Sequence, residues 1–162
     1  VLSNKKDAGI LDKAQAAGVP GMRIEREHVD DGDYWLRVLD GYDIDLIALA
    51  GYVRKVPKAV VAAYSGRILN THPALLPKHG GKRMYGINVH RAVLLAKERE
   101  SGMTIHLVTE EYDEGEIVFQ QKIEVQPNWT AEQLQEQIKA LEHTHYPRVI
   151  EAFCERLSRK RP

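Results

Sequence analysis

Asparagine and histidine stand two residues apart in Arg67-Ile68-Leu69-Asn70-Thr71-His72-Pro73-Ala74-Leu75-Leu76-Pro77-Lys78, where an apolar strand pattern gives way to prolines. Both side chains can hold negative charge as it develops on a carbonyl oxygen. The two prolines stiffen the loop, and a stiff loop holds donors without reorganisation. A second strand pattern, Met103-Thr104-Ile105-His106-Leu107-Val108, runs into Glu110-Glu111-Tyr112-Asp113-Glu114-Gly115 and brings a carboxylate. Beside His72, the Asp113 carboxylate would raise the imidazole pKa and favour imidazolium. Amide, imidazole and carboxylate together suit acyl-type transfer. His72 would donate to a carbonyl oxygen, and Asp113 would relay a proton from an attacking amine. Each signal alone also has a plain explanation, because Asn and Asp before Gly are common turn formers. Thr104 and His106 share one strand face opposite Ile105 and Leu107, so the polar face can line a site.

The surrounding pattern supplies the frame. Helical spacing covers Lys6–Ala17, Tyr34–Leu39, Pro57–Tyr64 and Val89–Arg99. Leu46-Ile47-Ala48-Leu49-Ala50 is a continuous apolar run ended by Gly51, which suits a strand buried on both faces. Strands are also expected over Arg67–Asn70, Thr104–Val108 and Ile117–Val125, with a turn at Gly115. Ala131–Leu157 carries a long helical pattern that Pro147 should interrupt, and Thr130 with Gln133 forms a capping box at its start. Alternating strands and helices predict an α/β fold. Its form is an open, mostly parallel, Rossmann-like twisted sheet flanked by helices, with a C-terminal hairpin-like element and a long C-terminal helix. Ligands bind such sheets beyond the carboxyl ends of the strands. Val1-Leu2-Ser3-Asn4 reads as the end of a strand, so the first βαβ element is expected to lie outside the 162 residues, which otherwise read as one domain.

Twenty-three basic residues balance twenty-three acidic ones, which argues against a nucleic-acid or membrane-surface partner. The basic cluster at residues 156–161 reads as a solvated helix end. A single cysteine, Cys154, excludes an intrachain disulfide and suits a reducing, cytoplasmic setting. Its place in an apolar-periodic helix suggests packing. No apolar run approaches the roughly 20 residues that cross a bilayer. His143 and His145 point apart on a helix, and no His-Glu-x-x-His or cysteine pair occurs, so no metal site is expected. Gly80-Gly81-Lys82 lacks the phosphate-loop pattern and reads as a flexible basic surface loop. The oligomeric state is left open, a homodimer included.

Several segments, in order, resemble the glycinamide ribonucleotide formyltransferases of purine synthesis. They are Ser3–Ala8, Leu49–Arg54, Gly66–Lys78, Thr104–Gln120 and Glu142–Pro147. The resemblance implies transfer of a formyl group from 10-formyltetrahydrofolate to the glycyl amine of glycinamide ribonucleotide, with these small molecules as substrates and no metal. It puts the catalytic triad at Asn70, His72 and Asp113. It lines the pterin pocket with Leu49, Val53, Arg54, Val56, Val61 and Ile68, together with Thr109, Glu110, Glu111 and Tyr112. His106 would support the triad, and Pro73, Lys139 and Glu142 would meet the nucleotide. The family begins with a strand and a phosphate-gripping loop that this sequence starts after, and its segment from His79 to Asn88 is longer than usual. A hydrolase of the folate and a silent folate-binding fragment are the rival functions. A methionyl-tRNA formyltransferase would need a basic RNA-binding domain that a neutral 162-residue chain does not hold.

Overall fold

The computed structural model describes residues 1–159. Contacts divide the chain into two compact units, Val1–Ile44 with Val56–Val60, and Asp45–Lys55 with the chain from Val61 onward.

In the first unit, β1 (Leu2–Ser3) pairs in parallel with β2 (Met22–Arg23), and α1 (Gly9–Ala16) connects them. After a 3₁₀ turn at Arg26–His28 comes α2 (Gly32–Asp40). The Asp31 carboxylate accepts from the Tyr34 N–H at 2.9 Å and so caps α2. Trp35 and Leu39 turn one face of α2 inward, as their spacing requires. Val56 and Val60 are also buried in this unit. The helix α3 (Lys58–Ala63) begins just after Pro57, which has no N–H to leave unpaired.

The second unit is built on a four-stranded sheet in the order β3 (Ile47–Leu49), β4 (Ile68–His72), β5 (Glu100–Leu107), β6 (Ile117–Glu124). The β3–β4 ladder is parallel, whereas β4–β5 and β5–β6 are antiparallel. The α/β class, the hairpin and the long last helix therefore agree with the sequence pattern. Among the described residues, however, two ladders run parallel and two antiparallel. Parallel pairing needs a crossover, and β5 joins β6 by a short turn that allows only antiparallel pairing. The run at 46–50 is not sealed on both faces, because Ala48 is exposed while Leu49 is buried.

Leu69 from β4, Met103 and Ile105 from β5, and Val93 from α4 (Ile87–Leu95) meet Leu134, Ile138, Tyr146 and Phe153 of α5 (Ala131–Arg159) in one core. Each fully buried aliphatic side chain contributes about 1.5–3 kcal/mol. That burial explains why α5 runs unbroken through Pro147, against the expected interruption. The capping box is present: Gln133 N–H donates to Thr130 Oγ1 at 3.3 Å, and Thr130 N–H donates to Gln133 Oε1 at 2.9 Å. Cys154 is exposed rather than packed, because Phe153 takes the inward position beside it. Arg156 lies over the Phe153 ring at 4.2 Å, and the basic cluster beyond residue 159 falls outside the described residues. Among the described residues, no helix is long and apolar enough to cross a membrane.

Candidate active site

The site grows from the register between β4 and β5. Asn70 pairs with His106 and His72 pairs with Thr104, so the four side chains form two cross-strand couples. The β5–β6 ladder slips between Ile105 and His106, leaving an extra residue on β6. Such a bulge re-aims the local side chains. His106 Nδ1 lies 2.8 Å from the Leu107 carbonyl and therefore carries the proton on that nitrogen. Its Nε2 is then free to accept from the Asn70 amide at 3.2 Å. The amide retains a second N–H for a ligand oxygen.

His72 is almost completely buried. Its Nδ1 is 3.4 Å from Asp113 Oδ2, and its Nε2 is 2.8 Å from the His79 carbonyl. Asp113 is also 3.5 Å from His106 Nε2 and accepts from the Gly81 N–H at 2.8 Å. Asn70, His72 and Asp113, separated widely in sequence, thus converge with His106 at the rim of the sheet.

The electrostatics correct one expectation. Burial drives the His72 pKa down, and the Asp113 charge and His79 carbonyl only partly oppose it, so the net shift is downward rather than upward. Burial pushes Asp113 up, but the adjacent His106 ring, the His72 charge and the Gly81 N–H outweigh it and hold the carboxyl below its usual range. At neutral pH the pair is an ionised carboxylate beside a mainly neutral imidazole.

The polar face of β5 is not open to a ligand along its length. Thr104 and His106 are as buried as Ile105. Thr104 Oγ1 donates to the Ala74 carbonyl at 2.6 Å and accepts from Leu76 N–H at 3.0 Å and Gln120 Nε2 at 2.9 Å. A hydroxyl has one donor and two lone pairs, so it is fully used. Gln120 also donates to the Leu76 carbonyl at 2.9 Å. These bonds pin the segment behind His72, which includes a cis Leu76–Pro77 peptide.

The segment at 79–81 is also not a free surface loop. It touches both His72 and Asp113 through its backbone. A Cβ on Gly80 would lie 2.6 Å from Leu76 Cδ2 and 3.2 Å from Asp113 Cβ, so a side chain there would have to displace Leu76 and crowd Asp113. Lys82 and Arg83, just beyond the segment, are exposed as the composition suggests.

The remaining expected residues divide into groups. Leu49, Val61 and Ile68 are buried in the second unit, whereas Val53 and Arg54 are exposed; Val56 is buried in the first unit. Thr109, Glu110 and Glu111 are exposed and Tyr112 is half-buried. Lys55, which sequence reasoning missed, joins the two stretches: its Nζ is 3.0 Å from Glu111 Oε2 and 5.1 Å from the Tyr112 ring centre. Glu142 on α5 accepts from Thr71 Oγ1 at 2.9 Å; burial raises its pKa. Pro73 is half-buried, and Lys139 is exposed one turn before Glu142. Tyr146, also missed, places its hydroxyl 3.0 Å from the carbonyls of both Leu49 and Leu69, tying α5 to β3 and β4. Its place in a helical apolar stripe was the only signal in the sequence. A cavity of about 800 Å³ opens among Leu75, Lys78, His79, Glu98, Arg99 and Ser101, and none of the residues expected to line the pterin pocket lines it. Among the described residues, no group of three or more His, Cys, Asp or Glu is placed to hold a metal ion.

An α/β sheet with an amide–imidazole–carboxylate group at its rim defines a candidate group-transfer protein. The sequence profile of the formyl transferase family matches residues 1–150, and the chain belongs to that family. It is 43% identical over 160 residues to the chloroplastic phosphoribosylglycinamide formyltransferase of Arabidopsis thaliana, covering 96% of this chain and 55% of that protein. It is 35% identical over 159 residues to the phosphoribosylglycinamide formyltransferase of Escherichia coli K12, covering 96% and 73%. The crystal structure of phosphoribosylglycinamide formyltransferase from Anaplasma phagocytophilum superposes with a TM-score of 0.86 at 33% identity, covering 96% and 73%. The chain spans about half the length of the two plant relatives, 55% and 51%.

Proposed function

We propose that this chain carries the site that moves a formyl group from 10-formyltetrahydrofolate to the glycyl amine of 5-phosphoribosylglycinamide, a step of de novo purine (IMP) synthesis. The observation that carries this reading is the 3.4 Å approach of Asp113 to a buried His72, with Asn70 two residues from His72 on the same strand. Family membership and the names of the relatives support the same chemistry.

In this reading the amine nitrogen attacks the formyl carbon, and the carbonyl electrons move onto oxygen. The free N–H of Asn70 and the imidazole of His72 stabilise the charge on that oxygen. The ionised Asp113 accepts the amine proton. The carbon–N10 bond of the folate then breaks, and N10 recovers a proton. The pterin lies among Leu49, Val53, Arg54, Val61 and Ile68 and the Thr109–Tyr112 backbone. Pro73, Lys139 and Glu142 meet the nucleotide. No step requires a metal. A lone thiol supports a reducing cytoplasmic setting.

The test is a transfer assay on the purified chain with mass-spectrometric detection of formylated product, run with and without the amine substrate. Product that depends on the amine supports transfer. Formate release without it supports the hydrolase, and folate binding with neither product nor formate supports a silent binding module.

A further inference from the structure

The turn at 79–81 grips both members of the His72–Asp113 pair at once. The His79 carbonyl accepts from His72 Nε2, and the Gly81 N–H donates to Asp113, each at 2.8 Å. To present those two groups the turn takes an unusual path, with His79 at φ +57 and Gly81 at φ +95. A left-handed conformation at a non-glycine residue persists only where surrounding contacts enforce it.

The enforcing contacts lie on the other side of the turn. The His79 ring Nε2 is 3.3 Å from Glu98 Oε1. Glu98, just before β5, also accepts from Lys78 Nζ at 3.1 and 3.0 Å through its two oxygens. One carboxylate therefore ties down the side chains of two consecutive loop residues, and the backbone of the second reaches the reacting pair.

We propose that His79 and Glu98 are positioning residues, a latch in which the Glu98 carboxylate fixes the His79 ring and so the backbone turn that holds His72 and Asp113 in register. The catalytic half of this inference rests on the formyl-transfer reading, but the structural half does not.

The test follows the His72 ring by NMR pH titration in the whole chain without substrate. The groups facing His72 are Asp113 from the β5–β6 loop, His106 from β5, His79 in the turn and His90 from α4. Releasing the turn in His79→Ala or Glu98→Ala withdraws the His79 carbonyl but also opens the His72 ring to water, the larger effect, so the His72 midpoint moves up, by about half a pH unit. His79→Gln, whose amide nitrogen reaches as far as Nε2, restores it. The double variant His79→Ala/Glu98→Ala behaves like either single one, because the two act in series. In the transfer assay kcat falls roughly tenfold to a hundredfold while both KM values stay within about twofold. A His72 midpoint unmoved in both single variants overturns the latch. If the midpoint moves and wild type makes no formylated product, the latch stands and the formyl-transfer reading falls.

Discussion

Asp113 faces His72 across 3.4 Å from a backbone at φ +59, and its second oxygen lies 3.5 Å from His106. A residue that bridges two imidazoles from the left-handed region cannot be replaced freely. Aspartate and asparagine tolerate that backbone best, since their short polar side chains bond locally. The position therefore combines a conformational demand with a charge.

Asp113→Asn keeps the first and removes the second. Formyl transfer should fall about a hundredfold or more, the usual scale for losing an acid–base partner. The circular dichroism spectrum should not change. His72→Ala should lose at least as much. Near-normal turnover by either folded variant would contradict the assignment.

Gly80→Ala tests the packing beneath the pair. The new methyl meets Leu76 Cδ2, which can swing aside, and Asp113 Cβ, which is fixed by three neighbours. Turnover should drop roughly tenfold, with little change in the urea midpoint. An unaltered kcat would show that Asp113 has more room than the contacts imply.

Thr104→Val preserves shape and removes three hydrogen bonds at once, leaving the buried Leu76 N–H and Ala74 carbonyl without their partner. A buried group left unpaired costs about 1–3 kcal/mol. Urea denaturation should report a loss of about 2–4 kcal/mol. A stability within experimental error of wild type would mean that the 74–76 segment is held elsewhere.

His90 on α4 makes stability depend on pH. It is buried, its Nδ1 has no hydrogen-bond partner among the described residues, and burial, then Lys139 and His72, depress its pKa to about 4. As pH falls below the ordinary value of 6.5, the unfolded chain takes up a proton that the folded chain refuses. The folded state should therefore weaken from pH 6.5 down to about 4 and change no further from this cause, the full effect being about 3 kcal/mol. His72 acts in the same direction. Denaturation of wild type and His90→Gln at pH 7.5 and 4.5 should show a smaller drop in the variant. Parallel drops would exclude His90 as a source.

The elements were legible because their apolar spacing is regular. The periodicity around Leu134, Ile138, Tyr146 and Phe153 outweighs the signal of Pro147, and only packing against β4 and β5 reveals why. Asn70, His72 and Asp113 could be singled out because donors and a carboxylate at strand ends have a chemical use. What could not be read was each group's surroundings. The upward shift expected for His72 assumed that a neighbouring charge dominates, but burial, which depends on the whole fold, dominates instead. The same holds for the Gly80-Gly81-Lys82 segment: composition says surface, yet two backbone groups reach the pair. Thr104, Lys55 and Tyr146 act through partners 28, 56 and 97 residues away, distances at which no local pattern gives a signal.

The lone cysteine offers a practical opening. Cys154 projects from α5 twelve residues past Glu142, about 18 Å along a rigid helix. A maleimide dye would react there and nowhere else in the chain. Paired with a fluorescent folate analogue, such a label turns occupancy of the cleft into an energy-transfer signal, so that ligand entry can be timed without waiting for chemistry.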